Sequence, residues 1–122
     1  MQKSDVLDSG VTNEELASLF KALAHANRLA ILRLLEGREL CVCEIEEALD
    51  LRQAYVSQQL SVLREAGLVC YRRDGWNVWY RIARPEVYTL LETAESIHQH
   101  LGTCAVAPEE LVSGLGACRE QR

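Results

Sequence analysis

The chain has no run of about 18 apolar residues, the length a helix needs to cross a bilayer, so no membrane partner is expected. Its first ten residues, Met1 to Gly10, are polar and include Asp5 and Asp8. They lack the basic start and apolar stretch of a secretory signal, and the expected compartment is cytoplasmic. No Cys-x-x-Cys, no alternating strand and helix patterns and no nucleophile–base constellation occur, so nothing supports a thiol oxidoreductase or another enzyme. Internal repeats and low-complexity linkers are also missing.

What is present is a chain of 122 residues, enough for one core and too short for two ordinary domains. Apolar residues make up 48%, a globular composition. The five cysteines are an odd number, and in a reducing compartment they are expected to be thiols. The net charge is −5, the wrong sign for a nucleic-acid binder, but it is unevenly spread. Residues 52–84 carry Arg52, Arg64, Arg72, Arg73, Arg81 and Arg84 against only Glu65 and Asp74. The flanking segments are both acidic. Phosphate binding depends on such a local patch rather than on the total.

Leu16, Leu19, Phe20 and Leu23 recur at helical spacing, which predicts a first helix over 13–24 with Asn13 as its N-cap. Leu29 to Leu35 is apolar on most faces and reads as a buried second helix ended by Gly37. A short stretch, Glu39 to Cys43, leads into a third helix over about 43–49, with Glu44, Glu46 and Glu47 at its start. Val56, Leu60 and Leu63 form the inner stripe of a fourth helix, 53–66, closed by Gly67. Two strand-like runs, 68–73 and 78–82, flank Asp74-Gly75, a hairpin signal. Pro85 opens a fifth helix that ends at Gly102, and 108–115 reads as one further short helix. The expected fold is mainly α with a small β-hairpin: a winged helix-turn-helix. Its domains are a flexible arm over 1–11, a DNA-binding and dimerisation domain over 12–101 and a tail over 102–122 that holds possible ligand cysteines.

With Val56, Leu60 and Leu63 inward, the fourth helix shows Gln53, Ser57, Gln58, Ser61 and Arg64 outward, preceded by Arg52. These flat or short hydrogen-bonding groups suit base edges and phosphates in a major groove. A merely solvated face normally holds Lys and Glu; this one has no Lys. Arg72 and Arg73 at the hairpin tip are expected to reach phosphate or a minor groove. Trp76 and Trp79 are ambiguous, since either can pack beneath the wing. One such unit grips few phosphates, so a homodimer on double-stranded operator DNA is expected. Leu16, Leu19 and Phe20 of the first helix, with Leu90, Leu91, Ala94 and Ile97 of the fifth, are assigned to its interface.

The segment Leu19-Phe-Lys-Ala-Leu-Ala-His-Ala-Asn-Arg-Leu-Ala-Ile-Leu32 resembles the opening helices of the ArsR/SmtB metalloregulators. Glu39-Leu-Cys-Val-Cys-Glu-Ile45 is similar to the metal-binding box of the arsenic- and cadmium-sensing members, and Val56 to Val69 to their recognition helix. The similarity covers about residues 12–101. It implies a dimeric repressor of a resistance operon, released from DNA by its inducer.

Cys41 and Cys43 lie two apart. On a regular helix they point about 200° apart; in extended backbone they share a face. One ion takes both sulfurs only if the entrance of the third helix is extended or unwound, and ligation is then expected to strain the helix-turn-helix. Thiolates select soft ions: As(III) first, with Sb(III), Cd(II) and Pb(II) as alternatives, and no organic cofactor. Two small packing cysteines are the bland alternative; the resemblance favours ligands. Arsenic sensors often carry a third cysteine where Glu46 stands here, so a third thiolate is expected from Cys104, or failing that Cys118. Cys70 reads as structural. The family's zinc site on the fifth helix falls on Arg84, Glu86, Ile97 and His100, two of which cannot bind zinc, and is not carried over. His25 reads as a helix-junction residue. The rival readings are a repressor whose thiols sense oxidants or reactive sulfur and a passive metal scavenger.

Overall fold

A computed structural model describes residues 10–100. The chain divides into a unit ending at Pro85 and a unit beginning at Glu86.

In the first unit, α1 (Asn13–Leu23) is capped by Thr12 and not, as expected, by Asn13. The Thr12 hydroxyl accepts from the Glu15 N–H at 3.0 Å, and the Glu15 carboxylate accepts from the Thr12 N–H at 3.1 Å. This reciprocal pair needs Glu three residues after the cap, a spacing that Thr12 has and Asn13 lacks. α2 (Ala26–Leu34) is capped by His25, whose Nδ1 accepts from the Asn27 N–H at 3.2 Å. His25 is thus a junction residue, as the sequence suggested. β1 is only Leu40–Cys41, and α3 (Val42–Leu49) follows at once. The turn into α4 (Gln53–Glu65) runs through Asp50, which adopts a left-handed conformation at φ 56°. Asp tolerates that region better than most residues.

α4 ends in a Schellman motif. The Leu68 N–H donates to the Leu63 carbonyl at 3.0 Å and the Gly67 N–H to the Arg64 carbonyl at 2.9 Å. Gly67 sits at φ 82°, where a Cβ is strained. β2 (Val69–Asp74) and β3 (Asn77–Ile82) form the hairpin, and β1 pairs with β3, giving an antiparallel sheet ordered β1-β3-β2. The register pairs Asp74 with Asn77, so the two turn residues are Gly75 and Trp76, one step on from the expected Asp-Gly. Gly75 has φ 65° and Trp76 has no positive φ, the type II′ pattern with Gly first.

Ile31, Leu32, Leu35, Ile45, Val56, Leu60 and Leu63 are fully buried. Each such side chain contributes about 1.5–3 kcal/mol relative to exposure. They come from α2 and its end, α3 and α4, so this core fixes the helix-turn-helix. A polar link adds orientation. Arg28 donates through Nε to Oε1 of the buried Gln59 at 2.7 Å, and through Nη1 to the carbonyls of Lys21 and Ala22 at 3.3 and 3.1 Å. One guanidinium thereby ties the C-terminus of α1 to the middle of α4. A cation at that helix end also favours the α1 dipole.

Among the described residues the second unit consists mainly of α5 (Glu86–Gln99), which begins just after Pro85 and in which Val87 and Leu91 are buried. The expected end at Gly102 and the short helix over 108–115 lie outside the described residues.

Candidate functional site

α4 turns its outer face to solvent largely as its periodicity implied. Arg52, Gln53, Ser57, Gln58 and Arg64 are exposed, and Ser61 is half-buried. The Arg64 guanidinium stands 5.2 Å from the centre of the Tyr71 ring, which steadies it beside the hairpin. Sequence reasoning missed Gln59 and Tyr55. The Tyr55 hydroxyl accepts from Asn27 Nδ2 at 3.0 Å and lies 3.4 Å from His25 Nε2, joining α4 to the α1–α2 junction. Both contacts link residues about thirty apart, beyond the reach of any periodicity.

In the wing, Arg72 and Arg73 are both exposed, but they differ. Arg72 is held by Glu39 in a two-bond fork, Nε to Oε2 at 2.8 Å and Nη2 to Oε1 at 2.9 Å. Asp74 lies 3.8 Å from its Nη1. The fork holds the Glu39 carboxyl below its ordinary range and pushes Arg72 further up. Trp79 is the tryptophan that packs, while Trp76 at the turn is fully exposed. Trp79 Nε1 is buried without a hydrogen-bond partner among the described residues.

Of the residues assigned to a dimer interface, Leu16, Phe20 and Ile97 are exposed large apolar side chains and Ala94 is exposed. Leu19 and Leu90 are half-buried. Leu91 is buried, at 7% exposure.

The two cysteines of the box come together. Cys41 is extended (φ −88°, ψ 167°) at the end of β1, and Cys43 lies in the first turn of α3. Their sulfurs are 3.0 Å apart. The required extended entrance is supplied by β1, which pairs Cys41 with Trp79. The sulfurs therefore meet without any unwinding, and the expected straining of α3 on ligation is not needed to bring them together. Cys41 is buried and Cys43 exposed. The Cys41 N–H donates to the Glu44 carboxylate at 3.1 Å, so Glu44 is occupied as a cap. The hydrogen bond with Cys41, desolvation and the charges of Cys41 and Glu44 push the Cys43 thiol above its ordinary range, outweighing a backbone hydrogen bond that lowers it.

Two sulfurs on a tetrahedral ion with zinc-like bonds of about 2.3 Å stand about 3.8 Å apart, so the pair must open by about 0.8 Å to hold such an ion and further for a larger one. No group of three His, Cys, Asp or Glu positioned for a metal occurs among the described residues. Cys104 and Cys118 lie outside them, and Cys70 is half-buried in β2. Cys41 and Cys43 line a crevice of about 160 Å³ together with Val42, Gln53, Trp76, Asn77 and Val78. Gln53 is the first residue of α4, and Trp76 and Asn77 form the wing tip. No helix among the described residues is long and apolar enough to cross a membrane.

Residues 25–71 match the model of the bacterial regulatory protein arsR family. The chain is 43% identical over 96 residues to the biofilm growth-associated repressor of Agrobacterium fabrum, covering 79% of this chain and 76% of that protein. It is 48% identical over 66 residues to the arsenical resistance operon repressor of Escherichia coli, covering 53% of this chain and 56% of that one. Among solved structures, the crystal structure of Rv0081 from Mycobacterium tuberculosis matches with a TM-score of 0.67 at 40% identity, over 77% of this chain and 95% of that one. A solution structure from Mycobacterium bovis, described as a homodimeric winged helix-turn-helix DNA-binding domain, matches with a TM-score of 0.63 at 34% identity, over 71% and 81%. Sequence motifs, winged helix-turn-helix and relatives agree: the chain belongs to the arsR family of bacterial regulatory proteins, which are DNA-binding transcription regulators and not enzymes.

Proposed function

We propose that the chain is a homodimeric repressor that grips operator DNA through α4 and the wing and lets go when Cys41 and Cys43 take a soft ion. The observation that carries this reading is the crevice. The crevice lined by Cys41 and Cys43 is lined also by Gln53, the first residue of α4, and by Trp76 and Asn77 at the wing tip. The inducer site and both DNA-reading elements thus share one small space, and a ligand there acts on both without a long relay. A coupling of a few kcal/mol is enough to empty an operator.

Residues 12–101 carry the DNA and dimer contacts in this reading, with 1–11 as an arm and 102–122 as a tail. Arg52, Gln53, Ser57, Gln58, Ser61 and Arg64 face the major groove, and Arg73 faces phosphate. The second copy is met by Leu16, Leu19 and Phe20 of α1 and by Leu90, Leu91, Ala94 and Ile97 of α5. The homodimer named for the M. bovis relative supports assembly as a homodimer.

As(III) stands first among inducers, supported by the sulfur pair and by the name of the E. coli relative. Sb(III), Cd(II) and Pb(II) share the same affinity for sulfur. Cys104, and after it Cys118, supplies the third sulfur.

The test is a release titration. The protein is bound to a duplex it selects from a random-sequence pool, then challenged with arsenite, antimonite, Cd(II), Pb(II) and peroxide. Wild type should release with the soft ions, while Cys41→Ser and Cys43→Ser should bind DNA and not respond. Release of both serine variants by arsenite refutes the site, and release by peroxide alone moves the signal to oxidation.

A further inference from the structure

Arg72 looks like a phosphate ligand in the sequence, yet its charge is already spoken for. Glu39 faces its guanidinium with both carboxylate oxygens, at 2.8 and 2.9 Å. The ring of Trp79 lies beneath it at 5.8 Å, and Asp74 adds a second negative charge at 3.8 Å. The ladder register explains why these groups meet. Trp79 of β3 pairs with Arg72 of β2 on one side and with Cys41 of β1 on the other. Directly paired residues point to the same face, so Cys41, Trp79 and Arg72 form one row across the sheet. Glu39 enters that row from just before β1. Arg73, next in sequence, points to the opposite face and has no ion-pair partner among the described residues.

We propose that Glu39 is a positioning residue for DNA binding that holds Arg72 back from the phosphates and so sets how many charges the wing offers. A two-bond Arg–carboxylate fork is a specific geometry, matched to the same guanidinium face that a phosphate takes. The carboxylate therefore competes directly with the DNA backbone for Arg72. Arg73 and the exposed Arg81 of β3 are the wing's available cations, Arg81 acting on Glu39 through its charge alone, and Arg72 joins them only when Glu39 lets go. The proposal rests on DNA binding by the proposed interface but not on any ion.

The test measures affinity for the selected duplex against salt for wild type, Glu39→Gln, Glu39→Asp, Arg72→Gln and the double variant Glu39→Gln/Arg72→Gln. Each phosphate neutralised adds about 0.9 to the slope of log affinity against log salt. Glu39→Gln should bind more tightly at low salt and steepen the slope by about 0.9, one phosphate. Glu39→Asp keeps the charge and should stay near wild type. Arg72→Gln should leave the slope unchanged, and the double variant should match Arg72→Gln, with none of the steepening. Weaker binding or an unchanged slope in Glu39→Gln overturns the proposal. So does a slope shallower by about 0.9 in Arg72→Gln, a result that stands even if Glu39→Gln does not fold. Wild-type protein with no affinity for any duplex refutes the functional reading instead.

Discussion

The raised Cys43 thiol separates two kinds of inducer by pH. At neutrality Cys43 carries its proton, because the Cys41 hydrogen bond, desolvation and Glu44 all favour the neutral form. A divalent ion such as Cd(II) must displace that proton into solvent. Below the thiol's pKa, each unit fall in pH therefore weakens cadmium binding about tenfold through Cys43 alone, or about 1.4 kcal/mol. Arsenite enters as neutral As(OH)3. Each arsenic–sulfur bond it forms replaces an arsenic–oxygen bond, and the thiol proton leaves with the hydroxide as water. No net proton is released, so its affinity should stay flat. The assay is anisotropy of a labelled duplex released by each ion, at two pH values one unit apart around neutrality. The half-release concentration of cadmium should fall at least about tenfold at the higher pH, while that of arsenite stays constant. A flat cadmium response, or a tenfold slope for arsenite, refutes the reasoning.

Other perturbations probe the scaffold and the reading face. Arg28→Met strands the buried Gln59 Oε1 and two helix carbonyls and should cost about 2 kcal/mol; an unchanged urea midpoint excludes the clamp. Gly67→Ala meets no atom within 4 Å, so its cost of about 1 kcal/mol should be purely conformational. Thermal melting checks it, and an unshifted melt denies the strain. Ser57→Ala with Gln58→Ala should weaken binding to the selected duplex by about 1–3 kcal/mol for each base no longer read, with an unaltered melt. Equal affinity for selected and scrambled duplexes in wild type and variant alike removes α4 as the reader.

Much of this fold was legible because its signals are local. Val56, Leu60 and Leu63 repeat at helical spacing, and Gly67 marks a helix end that only a left-handed residue closes well. The α4 outer face followed from the inner one. What stayed hidden depends on long-range pairing. β1 has two residues, too few for any alternation, yet its pairing with β3 is what extends Cys41 and brings the sulfurs together. The Glu39–Arg72 fork spans 33 positions, so composition alone counted Arg72 as a free cation. Leu91 sits on the apolar stripe of α5 with Ala94, and the stripe does not say which members are buried and which exposed. The turn at Gly75-Trp76 shifted by one because strand register, not the Asp-Gly pair, sets where a hairpin closes.

Coupling between two sites is reciprocal: if an ion loosens the grip on DNA, DNA must loosen the grip on the ion by the same factor. Cadmium affinity of the wild-type protein should therefore be measured by sulfur-to-metal ultraviolet absorption, with and without saturating duplex, in reducing buffer. An affinity weaker by about tenfold or more in the presence of DNA is expected. Equal affinity with the duplex demonstrably bound would contradict the idea that the sulfur crevice and the DNA-reading elements act on one another.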